Sequence, residues 1–381
     1  MKTNVLERCF PLLVAITIIT LLAGCAAPAT QTPEVSTKVV AETATLEPTR
    51  SVIEVLATNT PTVAGEEEPT IYHPVLRLAT KKWRIGYTDG GAAYDVSKIR
   101  WKSIQDAAAE AGVEMVYCDN AWPDTEQHIR CAEMMVSQKV DLVISSSWIA
   151  ELNDRLMEIY NKANIPVIGW DVTHNGNRSY YGIDTWTAGV LAGDYAGKWA
   201  LRNCQIDQVD IVLLKDPDVG SFPLQKLGGF EAGVRHWLPG IPPERVYEVI
   251  SIEASDTFDS TTAWLTAHPD SHCVLITAVN NYSAGGGASA AFTLAGRAKD
   301  GCIVGQGADA PMFTEFVTPE NESAFKASVS DSPWKDGYAL IPMAVDILEG
   351  VDVPPISLKE HEVITRENVD QMVPTEYQAW P

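Results

Sequence analysis

Lys162–Asp171 reads KANIPVIGWD, and this stretch decides the fold class. Lys162 and Ala163 close a helical stretch that opens at Ala150. Ile165–Trp170 is a short apolar run, too brief for a helix, and reads as a strand buried on both faces. It ends on Asp171, a polar side chain set where the strand gives way to a loop. The same unit recurs upstream: Arg84–Thr88, Val113–Cys118 and Val140–Ser145 read as strands, with Ser97–Ala111 and Asp124–Ser137 as helices between them. Trp101, Ile104, Ala107, Ala108 and Ala111 fall at helical spacing, and Gly112 is the stop. Asp124-x-x-Gln127 has the form of a capping box. Downstream, Tyr180–Ile183, Val209–Leu214, Val246–Ile252, Val274–Ala278, Ile303–Gly305 and Ala324–Val329 read as strands. Thr185–Arg202, Leu224–Trp237, Phe258–Ala267, Ala284–Ala295 and Trp334–Leu348 read as helices. Strands that alternate with helices form parallel sheets covered on both faces. So many strands predict an α/β protein with two such sheets, hence two lobes.

The chain has 381 residues, 46% hydrophobic and 20% charged, which is ordinary globular composition. This excludes a collagen, a mostly disordered chain and a polytopic membrane protein. The formal net charge is −22, whereas a nucleic-acid binder needs a basic face, so no nucleic-acid partner is expected. Pro11–Ala23 is a 13-residue apolar run, short of the roughly 20 residues that span a bilayer, and fits a secretory signal. It runs into Leu22-Ala23-Gly24-Cys25, which resembles the bacterial lipobox. Residues 1–24 are therefore expected to be a lipoprotein signal peptide, with Cys25 lipidated and the protein exported and membrane-anchored at the cell envelope. Residues 25–82 are rich in Thr, Pro, Ala and Glu without sustained periodicity, and read as a disordered tether. Cys118, Cys131, Cys204, Cys273 and Cys302 remain for the body. No C-x-x-C occurs, so zinc is not supported; Cys118 with Cys131 is the first candidate disulfide and Cys273 with Cys302 the second.

In open parallel sheets, ligands bind outside the carboxyl ends of the strands. The residues just past those ends are Asp89, Asp119, Asn120, Ser145–Ser147, Asp171, Asp216, Glu253, Asn280, Asn281, Asp309 and Asp331. Tyr94, Trp122, Trp148, Trp170 and Trp334 fall in or beside the same loops. A sugar needs this combination: carboxylates and amides for its hydroxyls, aromatic rings for its C–H faces. Trp101, Trp199, Trp237 and Trp264 read instead as helix-face packing. Enzyme readings find little support. No G-x-G-x-x-G follows the first strand, no P-loop or G-x-S-x-G occurs, and Pro269 separates His268 from His272. Gly285-Gly286-Gly287 reads as close helix-to-sheet packing. No metal, cofactor or catalytic residue is expected.

Several stretches together carry a family resemblance: KANIPVIGWD, YYGIDTWTAGVLAGDYAGKWA (Tyr180–Ala200), LTAHPDSHCVLITAVNN (Leu265–Asn281), IVGQGADAP (Ile303–Pro311) and KASVSDSPWKDG (Lys326–Gly337). Over about Trp83–Pro374 the chain resembles the ribose/galactose-type periplasmic sugar-binding proteins, the solute receptors of ABC importers. The resemblance implies two Rossmann-like, doubly wound parallel-sheet lobes joined by a three-strand hinge. It implies a monomer that captures a sugar between closing lobes and delivers it to an ABC permease. It places Asp171, Asn280 or Asn281, Asp309 and Asp331 against the ligand. Lys226, in QKLGGFEAG (Gln225–Gly233), stands nearest to the arginine of ribose binders. With Asp89, Tyr94, Trp148, Trp170 and Trp334 from the residues themselves, these form the expected site. The implied lobes are 83–184 plus 333–354 and 185–332 plus 355–381. The loop DGGAAYD (Asp89–Asp95) lacks the aromatics of pentose binders, so the resemblance does not extend to a particular sugar. A sensing receptor for a chemosensor or histidine kinase, or a receptor for a nucleoside, uses the same fold.

Overall fold

The computed structural model describes residues 72–90, 95–121, 123–147, 149–172, 174–217, 221–317 and 322–378. The expected signal peptide, Cys25 and the tether up to residue 71 lie outside them. The first half of the body forms β1 (Arg84–Asp89), α1 (Asp95–Ala111), β2 (Glu114–Asp119), α2 (Thr125–Ser137), β3 (Leu142–Ser145), α3 (Ala150–Lys162), β4 (Val167–Trp170) and β5 (Ser179–Gly182). The second half forms α4 (Thr185–Asn203), β6 (Val209–Lys215), α5 (Ser221–Trp237), β7 (Val246–Ile250), α6 (Ala254–Ala267), β8 (Cys273–Ala278) and α7 (Ala290–Leu294). It continues with β9 (Gly301–Gln306), α8 (Ala310–Val317) and β10 (Phe325–Ser330). Then come α9 (Asp336–Leu348), β11 (Ile356–Leu358), β12 (Glu362–Thr365), α10 (Val369–Met372) and α11 (Thr375–Gln378).

The strands make two six-stranded sheets, ordered β2-β1-β3-β4-β5-β11 and β7-β6-β8-β9-β10-β12. The two orders match strand for strand. All pairings are parallel except β10 with β12. Each sheet is apolar on both faces, as covered parallel sheets require. In the first, Ile85, Ile144 and Ile168 pack under α1 and α9, while Val143 and Val167 pack under α2 and α3. This is the expected α/β class of the periplasmic-binding-protein type I.

Local chemistry sets the element boundaries. The Asp124 carboxylate accepts from Gln127 N at 2.9 Å and caps α2. Gln127 does not return the bond; its amide reaches Asp119 O at 2.9 Å and ties the helix to β2. Asp184 caps α4 through Thr187 N at 3.0 Å. Helices α4 and α5 touch backbone to backbone, so closely that a Cβ on Gly189 would stand 2.1 Å from Lys226 O. That contact fixes the height of Lys226. The helix expected over 284–295 opens instead as a π-helical segment, Tyr282–Ser289.

The chain passes between the sheets three times: after β5, after β10 and after β11. The third passage corrects an expected boundary. Ile356 and Ser357 pair with Tyr180 and Tyr181, so β11 belongs to the first sheet, and the passage runs through Lys359–His361 rather than near 354. Three residues completed by a neighbouring strand leave too little pattern to be seen alone. Cys118 and Cys131 are joined, with Cα atoms 5.6 Å apart. Cys273 is joined to Cys204, not to Cys302, which is buried and free.

The tether also ends earlier than expected. Residues 72–82 lie along the first lobe. Tyr72 N donates to Ser357 Oγ (3.1 Å) and Tyr72 Oη to Asp346 (2.8 Å). Arg77 bridges Asp346 and Glu349 at the end of α9 (2.8 and 2.5 Å), Thr80 N donates to Glu349, and Ala79 N to Ala111 O. Tyr72, Leu76, Ala79 and Trp83 pack on the core beneath. A chain starting at Arg84 should therefore melt lower than one starting at Glu68, by about 3–8 °C for a loss of roughly 2 kcal/mol. Equal melting temperatures would return the segment to the tether.

Candidate functional site

The carboxyl edges of both sheets collect the polar residues that the sequence placed there. On the first, Asp89 ends β1, buried, taking Tyr87 Oη at 2.9 Å and Gly90 N at 2.5 Å. Burial raises its carboxyl, against the pull of Arg100. Asn120 donates to Ser146 O at 2.9 Å, while its Oδ1 and the hydroxyls of Ser146 and Ser147 are buried without a hydrogen-bond partner among the described residues.

On the second sheet, Asn280 and Asn281 part ways. Asn280 Oδ1 accepts from Ser283 N at 2.9 Å and caps the π-helical segment. Asn281 is fully buried and takes Ser328 Oγ at 2.9 Å. It lies so close over β9 that only a glycine fits beneath: a Cβ at Gly305 would stand 1.9 Å from Asn281 Oδ1. The Gln306 amide and Asp309 Oδ1 are likewise buried without a hydrogen-bond partner among the described residues. Burial pushes the Asp309 carboxyl up to about 7, against the Asn281 amide and Met312 N–H. Lys226 donates to Val279 O at 3.2 Å. Burial lowers its ammonium, which Asp331, Asp171 and Asp309 pull the other way.

Between the two edges lies an ion cluster that sequence reasoning missed. Arg100 of α1 contacts Asp336 (2.5 Å), Asp171 (3.4 Å) and Asp331 (3.5 Å). Lys359, on the third passage, contacts Asp171 (2.9 Å), Asp336 (3.1 Å) and Asp331 (3.6 Å). The Lys359–Asp171 contact is ionic and off the hydrogen-bonding direction. Burial pushes Asp336 up to about 6 although Lys359 and Arg100 oppose it. Burial works the same way on Asp331, but Lys359, Arg100 and Lys226 outweigh it and hold that carboxyl at about 2. The signal was present for Arg100. It falls in register with Ser103, Ile104, Ala107 and Ala111, a cation on the apolar stripe of its own helix. Asp336 and Lys359 carry no such mark.

Two expected aromatic platforms are core residues. Trp170 is 1% exposed; Tyr87 stacks on it at 5.8 Å and the Arg100 guanidinium lies over it at 4.3 Å. Its indole N–H donates to Thr88 O. Trp334 packs with Ile99, Phe313 and Tyr377 in the apolar cluster beside the second passage. Both sit beside the site and present no open ring. Tyr94, Trp122 and Trp148 lie outside the described residues.

Residues 98–352 match the family described as periplasmic binding protein domain, more than half of the chain. The chain belongs to that family, whose members are solute receptors and not enzymes. No curated protein matches it by sequence. Among solved structures it is similar to a glucose-galactose binding protein from Geobacillus stearothermophilus: TM-score 0.59, 21% identity, 76% of this chain and 100% of that one covered. An ABC transporter periplasmic solute binding protein from Actinobacillus succinogenes 130z with bound D-allose gives TM-score 0.61 at 20% identity, covering 75% and 99%. A solute binding protein from Agrobacterium vitis bound with alpha-D-tagatopyranose gives TM-score 0.61 at 20% identity, covering 76% and 97%. The fold is that of sugar ABC transporter solute-binding proteins.

Because Trp170 is a core residue, Trp170→Ala should destabilise the protein by about 3–5 kcal/mol, the range for emptying a large aromatic site. Chemical denaturation measures this. An unchanged midpoint would show that the ring is not part of the core.

Proposed function

We propose that this protein is the receptor of an ABC importer for a neutral monosaccharide, tethered to the membrane through lipidated Cys25, and that it hands its sugar to a permease. The observation that carries this reading is a set of buried polar atoms on the two facing edges that have no hydrogen-bond partner among the described residues. Asn120 Oδ1 and the Ser146 and Ser147 hydroxyls stand on one side, and the Gln306 amide and Asp309 Oδ1 on the other. Orphaned buried polar atoms cost free energy unless something pairs with them. The set mixes donors and acceptors. A polyol, whose every hydroxyl is both, pairs with such a set; an apolar ligand does not. Contacts to both lobes couple binding to closure.

Charge narrows the ligand further. Asp89, Asp171, Asp309, Asp331 and Asp336 face Arg100, Lys226 and Lys359, so carboxylates outnumber cations. An anionic sugar would add to that excess in a site of low dielectric.

A thermal-shift panel of neutral aldoses, uronic acids and nucleosides tests the reading. A neutral aldose should raise the melting temperature, and its uronic acid should not. A nucleoside response with no aldose response would overturn it. The Asp309 carboxyl adds a pH signature. Sugar hydroxyls donate to the ionised form, and in the free receptor that form predominates only above about 7. Affinity should therefore rise as pH passes upward through that value, with proton release on binding, and Asp309→Asn should flatten the profile. The anchor is tested separately: Cys25→Ser should abolish incorporation of labelled fatty acid, and retained label would reject lipidation there.

A further inference from the structure

Helix α2 carries a side chain that neither the core nor the ion cluster uses. His128, in its first turn, is 3% exposed and continues the buried stripe of Cys131, Ala132 and Met135. Its Nδ1 stands 2.8 Å from Asp124 O. A carbonyl only accepts, so Nδ1 carries the proton, and in the neutral ring Nε2 has a lone pair and nothing to donate. That Nε2 is buried without a hydrogen-bond partner among the described residues. An acceptor fixed in this way is costly to bury unless a donor meets it.

Register gives its position. Met135 lies over β1 and β3: a Cβ on Gly86 would stand 2.7 Å from Met135 Sδ and 3.1 Å from Val143 Cγ2. His128 is seven residues nearer the start of α2, about 10 Å along the axis. The helix runs against the strands, and the Gln127 amide on Asp119 O holds its first turn at their carboxyl edge. Three strand residues cover about the same 10 Å. His128 is therefore level with Asp89 and Ser146, the residues three beyond the paired Gly86 and Val143. Thr88 and Ser145, one step below, bond to each other at 3.4 Å. Asn120 Oδ1 and the hydroxyls of Ser146 and Ser147 share this edge and, like Nε2, have no hydrogen-bond partner among the described residues.

We propose that His128 is a specificity residue of the sugar site, its Nε2 accepting one hydroxyl at the edge of the first lobe, from the sugar itself or from a water that the sugar holds there. The proposal rests on the monosaccharide reading above, and it adds a residue of α2, where the family resemblance assigns none. Because this nitrogen accepts and does not donate, it selects a group with a proton to give. A hydroxyl has one; a hydrogen or an ether oxygen at the same carbon does not, and leaves the buried acceptor unpaired.

The test uses the full chain with His128→Asn and His128→Gln. The Asn amide keeps a donor for Asp124 O and places nothing where Nε2 stands; the Gln amide puts an oxygen there. Calorimetric titration uses whichever of D-allose, D-galactose, D-glucose and D-ribose binds the unsubstituted protein most tightly. H128N should weaken binding about tenfold and H128Q less than about threefold. Without sugar, H128N should melt no lower than the unsubstituted protein, since an unpaired acceptor has gone. If H128N does not fold, His128→Leu, which also lacks the acceptor, takes its place with the same loss expected. Monodeoxy analogues of the same sugar then locate the hydroxyl. An analogue that binds H128N and the unsubstituted protein equally marks a direct contact, and sensitivity to H128N in every analogue marks the water; either supports the proposal. A histidine that only packs gives the opposite pattern, a lower melting temperature with unchanged affinity. That pattern, or H128Q binding more weakly than H128N, overturns the proposal and leaves the monosaccharide reading standing. If none of the four sugars binds the unsubstituted protein, that reading fails, and the proposal with it.

Discussion

Two cations and two carboxylates are buried where the lobes meet, with a third carboxylate half-buried beside them, and the architecture turns on their mutual attraction. Each charge loses several kcal/mol of hydration on burial, and only close opposite charges offset that loss. Arg100 therefore needs Asp336 and Asp171 at contact distance, and Lys359 needs both as well. These groups come from α1, the end of β4, the second passage and the third passage. No short segment can satisfy its own charge, so the four must assemble together. The backbone yields to this demand: Asp171 and Ser332, on either side of the cluster, both stand in the left-handed region, at φ 53° and 51°. Strain in two non-glycine residues at one place marks a geometry set by its surroundings.

The cluster carries three negative charges against two positive, and the remaining balance is found next to it. Lys226 lies close enough to favour the ionised form of Asp331. Asp336, the most buried carboxyl, is the one for which a proton is the cheapest remedy, and its carboxyl is pushed up to about 6. The tight packing of α4 on α5 sets the level of Lys226, so helix contact in the second lobe and charge balance between the lobes are parts of one arrangement.

The sheets and most helices were legible in the sequence because each strand is a short apolar run and each helix carries its own stripe. KANIPVIGWD gave strand, turn and Asp171 in ten residues. What escaped detection depends on partners distant in sequence. ISL at β11 and EVIT at β12 are edge strands whose pairing with β5 and β10 exists only in the folded chain. The strap at 72–82 has no periodicity because ion pairs to α9 and isolated aromatic anchors hold it. Cys204 was invisible as a partner of Cys273 because 69 residues separate them. At the site, the carboxyl-edge rule found the right loops but could not say which side chains turn toward a ligand. Trp170 is the clearest case. As the last residue of a parallel strand it faces a helix layer, and the stack with Tyr87 and Arg100 takes it into the core.

That stack links the core to the charges. Tyr117, Trp101, Tyr87 and Trp170 lie ring on ring, and Arg100 rests on the last of them. A guanidinium on an indole face is stabilised by the ring quadrupole while its edges stay free for carboxylates. An ammonium at the same position could not divide its contacts this way, because it has no plane to lay on the ring and no fork to turn outward. The aromatic core of the first lobe thus determines how the Arg100 guanidinium is turned. That orientation decides which oxygens of Asp171, Asp331 and Asp336 it can reach, and so which oxygen of Asp331 stays outside the cluster.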